Sequence, residues 1–178
     1  MDPSHASDGG VPAALLILRV TVGVVMIAHG RNHIWGGGGI DGTTGWFESL
    51  GMRPARLHAW LASVTELGAG VMLVAGLLTP LAGAAVVGVM LVAWITNHAR
   101  NGFFIFRPGE GYEYVMVLAL TGMAIAGLGG GAWSLDAVLG IAVGGWVGLG
   151  GALLLGGGGA AALLAVCWRP PAPEGPQN

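Results

Sequence analysis

VPAALLILRVTVGVVMIAH, residues 11–29, is an apolar run broken by a single charge, Arg19. A helix that crosses a bilayer needs roughly 20 mostly apolar residues, and this run supplies them. Three more stretches read the same way. Residues 58–78 are interrupted only by Glu66, and residues 79–97 follow so closely that the two must form a tight antiparallel hairpin. Pro80 lies in the first turn of the second arm, where proline is tolerated. Residues 113–128 stop at Gly129-Gly130-Gly131.

After Ser134 and Asp136, a plausible helix-starting pair, residues 137–168 form a glycine-rich apolar stretch. As one helix it would measure roughly 48 Å, so a break or strong tilt is expected near Gly156 to Gly159. The fold expected is all-α and polytopic: a polar N-terminal segment 1–10, four spans within 11–136, a fifth glycine-rich span within 137–168, and a disordered tail 169–178. A re-entrant segment after four spans is the alternative.

Composition agrees. Apolar residues make up 54% and charged residues 9%, with mean hydropathy +0.73, whereas a soluble domain carries about 25% charged residues. The net charge of −2 and the absence of a basic block argue against nucleic acid as a partner. With no lysine among its residues, the chain cannot build a phosphate-binding P-loop despite 35 glycines. The single cysteine, Cys167, excludes an internal disulfide, a CxxC pair and a multi-cysteine zinc site. The N-terminus lacks the basic region of a cleavable signal, so the first apolar run is expected to be retained.

Apart from Arg19, every arginine falls on one side of a five-span arrangement: Arg31, Arg53 and Arg56, then Arg100 and Arg107, then Arg169. The positive-inside rule places that side, with the C-terminus, in the cytoplasm and the N-terminus outside. Trp60, Trp94, Trp133 and Trp168 fall near span ends, as an aromatic belt requires. In the long first loop, 30–57, Trp46, Phe47 and Leu50 can share one face of a short interfacial helix.

Three features point to chemistry. Arg19 and Glu66 lie within spans, where an ionisable residue costs about 2.5–3.5 kcal/mol and normally faces inward to a partner. Counted from His29 and His58 they lie roughly 15 and 12 Å deep, so a direct pair is geometrically reasonable. It serves either to lock two helices together or to line a polar pocket for a lipophilic ligand or proton relay. Second, His29, Arg31, Asn32, His33, His58, Asn97, His98, Arg100, Asn101, Glu110, Tyr112, Glu113 and Tyr114 gather at one end of the bundle. His29 and His33, four residues apart, are weak metal-ligand candidates, and His29 with His98 weak axial haem ligands. A quinone headgroup, which needs only a His or Arg donor beside an apolar cleft, fits at least as well. Third, Gly140, Gly144, Gly148, Ala152, Gly156 and Ala160 form a stripe that admits close helix packing, on the chain's own bundle or on a partner protein.

The chain also resembles the DoxX family of small bacterial membrane proteins, from about Ala14 to Leu139. The likeness rests on LRVTVGVVMIAHG (18–30), FESLG (47–51), VTELGAGVMLVAGLLTPLAG (64–83), NGFF (101–104), EYVMVLALTGMAIAGLG (113–129) and WSLD (133–136). It implies a four-helix membrane core with Arg19, His29 and Glu66 at motif positions. It also implies residence in the bacterial cytoplasmic membrane and redox work. The name-giving relatives belong to a membrane thiosulfate:quinone oxidoreductase, and others associate with superoxide dismutase and a sulfurtransferase. Two departures stand out: Arg31 replaces the lysine common after the first-span HG, and residues 137–168 lie beyond the four-span core. The residues expected to bind a ligand or form the buried polar site are Arg19, Glu66, His29, Arg31, His98, Asn101 and Glu113, and no catalytic set is evident. The expected role is an accessory subunit that anchors or serves a quinone-linked or oxidative-stress complex. The alternatives are a carrier of a lipophilic or weakly acidic solute and a purely structural subunit.

Overall fold

The structure, a computed structural model, describes residues 9–170. The expected polar segment 1–10 and tail 169–178 therefore lie almost wholly outside the described residues. Seven helices follow in order: α1 Gly10–Trp35, α2 Gly39–Ser49, α3 Ala55–Ala75, α4 Thr79–His98, α5 Glu113–Leu128, α6 Leu135–Val138 and α7 Gly145–Cys167. Four of them, α1, α3, α4 and α7, are long and apolar enough to cross a membrane; α5, with 16 residues, is shorter. The protein is an all-α, polytopic membrane protein.

Neighbouring long helices alternate in direction. Gly23 packs on Gly70, and Gly30 on Ser63 and Leu67, which sets α1 antiparallel to α3. Gly83 packs on Gly122 while Trp94 stacks on Tyr112, which sets α4 antiparallel to α5. The glycine seams let backbones approach closely, the form of packing that substitutes for a hydrophobic driving force in lipid. Val22, Met26, Leu73, Val86 and Ile125 fill the space between the four helices and are almost fully buried.

Helix ends explain where the sequence reading needs correction. The first span was expected to end at His29, but α1 continues through His33 to Trp35. Polar side chains do not end a helix in the headgroup zone; the run Gly36 to Gly39 does, with Gly38 at φ 89°. The loop expected from residue 30 to 57 is thus mostly helix. α2 carries Trp46 and Phe47, which with Leu50 after its end face one cavity; Phe47 is buried there and Trp46 half-exposed. α3 ends at Gly76 in the left-handed region (φ 67°), with Gly76 N–H and Leu77 N–H donating to the Leu73 and Met72 carbonyls.

The fifth apolar stretch is also revised. Its break falls at residues 139–144, before the helix, rather than at Gly156 to Gly159. A π-helical turn, Ala152–Gly157, carries α7 past that point without a break. The glycine stripe is used inside the molecule: Gly144 and Gly148 pack on the 126–129 backbone of α5, and Gly156 on Ala84 of α4. It is therefore not a free partner surface, and of the stripe's glycines only Gly140 has open space around it. A Cβ at Gly148 would fall on the Ala126 carbonyl oxygen. Gly148→Leu is accordingly expected to cost about 1–3 kcal/mol by overpacking. Amide exchange should rise over Gly145–Cys167 while α1 and α3 stay protected.

Candidate functional site

Arg19 and Glu66 occupy different places. The α1–α3 register puts Glu66 level with Gly30 and His33, three turns of α1 from Arg19, or about 16 Å at 1.5 Å per residue. The expected direct pair does not form, because both helices begin or end beyond the residues from which the depths were counted.

Arg19 is fully buried near the opposite end of the bundle. Its Nη1 donates to the Leu73 carbonyl (3.0 Å) and its Nη2 to the Trp133 carbonyl (2.6 Å). Leu73 lies in the last turn of α3, where free carbonyls favour a cation. The opposing charge is Asp136, 1% exposed. Asp136 in turn accepts the Leu78 N–H (2.6 Å) and Thr79 N–H (2.9 Å) and so caps α4. Arg19 and Asp136 together tie α1, the α3–α4 turn and the α5–α6 connection. The sequence reading missed Asp136, although on that side of a five-span layout the only acids are Asp2, Asp8 and Asp136.

At the other end lies a cavity of about 940 Å³. Glu66 reaches it from α3, His29 and His33 from α1, Tyr114 from α5, His98 from α4 and Trp46 from α2. His33 Nδ1 is 3.1 Å from Glu66 Oε2, an ion pair between two largely buried side chains whose geometry does not complete a hydrogen bond. His29 Nε2 and Tyr114 Oη are 3.1 Å apart, forming a second polar wall. Trp46 and Phe47 pack against His33 with ring centroids 6.0 and 6.4 Å away. Asn97 and His98 sit in a π-helical turn, Trp94–His98, a device often found at functional sites because it re-aims side chains. His98 uses Nδ1 toward the Glu110 carbonyl (2.8 Å) and Nε2 toward Asn97 (3.2 Å).

Of the residues expected at a site, Glu66, His29 and His98 line the cavity, and His33 joins them. Asn101 and Glu113 shape its rim: Asn101 Nδ2 donates to the Asn97, Gly109 and Glu110 carbonyls, and Glu113 Oε2 accepts the Ile105 N–H. Arg31 is exposed and does not line the cavity. Among the described residues, no three His, Cys, Asp or Glu side chains gather as a metal site.

The DoxX family model matches residues 14–99. The chain carries a DoxX domain. The match covers α1 to α4, and therefore Arg19, His29 and Glu66, and stops before α5. Comparison with curated proteins and with solved structures gives no match. The DoxX domain thus supplies Glu66, the two α1 histidines and the π-helical turn, while Tyr114 and the α7 wall of the cavity come from the chain that follows it.

Proposed function

We propose that this DoxX-domain protein is a membrane subunit serving a redox complex, and that its cavity takes a quinone-type headgroup. The observation that carries this reading is the buried Glu66–His33 ion pair facing the cavity with its hydrogen bond incomplete. A buried polar group whose hydrogen bonds are incomplete costs about 1–3 kcal/mol, so the site favours a ligand that completes them. A quinone headgroup suits the residues present. Its oxygens accept a hydrogen bond from His33 or Tyr114 when oxidised, and its hydroxyls donate to Glu66 when reduced. When bound, such a group supplies paired electron and proton chemistry. The chain's own residues hold its oxygens, exclude water with Trp46 and Phe47, and keep a proton acceptor at Glu66. The lone cysteine gives the chain no thiol couple of its own, so a partner supplies or takes the electrons. The redox setting implied by the family likeness supports the same reading. Six arginines at the cavity end favour a bacterial cytoplasmic membrane with that end inside.

Trp46 borders the cavity, and a bound quinone quenches nearby tryptophan fluorescence. Titration with a tailless dimethoxy-methyl-benzoquinone is expected to give saturable quenching that Trp46→Phe removes. Glu66→Gln should raise the Kd of the reduced, hydroquinone form about tenfold, measured by anaerobic titration calorimetry, since a hydroxyl donating to a charged carboxylate is worth about 1.5–3 kcal/mol. Quenching that never saturates, or a hydroquinone affinity that Glu66→Gln leaves unchanged, would count against the proposal. Transport of a weakly acidic solute by the purified protein in vesicles would replace it with a carrier.

A further inference from the structure

We infer that the ligand of this cavity is an amphiphile whose chain leaves the polar end along α4 and α7 and emerges into the bilayer. This rests on the reading that the polar end binds a headgroup. The cavity's volume stands near the top of the roughly 300–1,000 Å³ typical of small-molecule pockets, far more than a single ring fills. Beyond Glu66 it continues as an apolar passage lined by Ala85 and Gly88 of α4 and Gly159 of α7. Leu81 and Leu155 also line it, and they are 49% and 62% exposed, so the passage opens on the lipid-facing surface.

On the side of the C-terminal segment the polar end is shut. Met52 pairs with Trp168 in a short antiparallel bridge, Arg53 N–H donates to the Cys167 carbonyl and Arg169 N–H to the Gly51 carbonyl. Phe47, Met52 and Leu164 are buried together beneath this seam. An apolar tail therefore leaves sideways into lipid rather than past this seam or through the polar rim. A water-soluble solute has no use for a passage without polar groups, whereas an alkyl or isoprenoid chain gains about 0.8 kcal/mol per buried methylene only where it replaces water and merely exchanges neighbours in lipid. The passage thus selects by shape, admitting a chain already dissolved in the membrane.

The test compares the tailless benzoquinone with its decyl derivative on detergent-purified full chain, by Trp46 quenching. Gly159 has no atom within 4 Å of a built Cβ, so Gly159→Leu fills the passage without disturbing the fold; Ala85→Leu narrows it from the facing helix. Each variant should weaken the decyl probe tenfold or more and leave the tailless probe within twofold of wild type. Micelle partitioning is common to all the proteins and cancels in the comparison. Tailless binding with decyl affinity untouched by both variants would overturn the tail passage and leave the headgroup reading standing. Failure of both probes to bind the wild type would overturn both.

Discussion

Replacing Arg19 by alanine is expected to be the most damaging single change in this protein, and to act on stability rather than on ligand binding. The substitution leaves Asp136 buried without its opposing charge and strips the Leu73 and Trp133 carbonyls of their donors. Losing two hydrogen bonds from a charged donor, each worth about 1.5–3 kcal/mol, together with the cation facing Asp136, removes a large part of a domain's total stability. Thermal unfolding in mild detergent, followed by circular dichroism, should show the loss directly, as should a fall in monodisperse yield. Arg19→Lys keeps the charge but has no planar fork to span two carbonyls, so it should fall between. Arg19→Ala combined with Asp136→Asn should recover part of the loss, because the uncompensated charge goes with its partner. If Arg19→Ala folds with wild-type stability, the clamp has been misread.

Gly70→Leu should come next. A Cβ at Gly70 would lie 2.6 Å from the Gly23 carbonyl oxygen and 2.9 Å from the Ile27 nitrogen. Both obstacles are backbone, so no side chain can rotate away and the two helices must separate. The cost is expected near the upper end of overpacking, about 3 kcal/mol. Gly68→Leu, on the same helix but with open space around it, is the matched control and should be nearly silent. Comparable unfolding of both variants would contradict the α1–α3 seam.

These contrasts mark what the sequence conveys and where it stops. The apolar runs were legible because lipid demands length and composition, which need no partner. Arginine asymmetry was legible for the same reason. The partner of Arg19 was not, because a shift of three turns between α1 and α3 carries no signature in either helix alone. His33 illustrates the same limit. As a residue four after His29 it suggested a metal, yet it faces Glu66, because α1 extends past the point where polarity suggested an end. The stripe from Gly144 to Gly156 announced close packing but not its object, which proved to be α4 and α5. Asp136 could have been found by asking which acid lies at Arg19's end of the bundle; its helix-capping spacing with Ser134 masked it.

The measurement that tests the central claim most directly is mass spectrometry of small lipophilic molecules retained by the protein after gentle purification from bacterial membranes. With the membranes kept reduced, the account predicts a quinol in near-stoichiometric amount with the wild-type chain, greatly depleted in Glu66→Gln at unchanged fold and yield. Phospholipid alone in the wild type, or a quinol retained equally by Glu66→Gln, would contradict it.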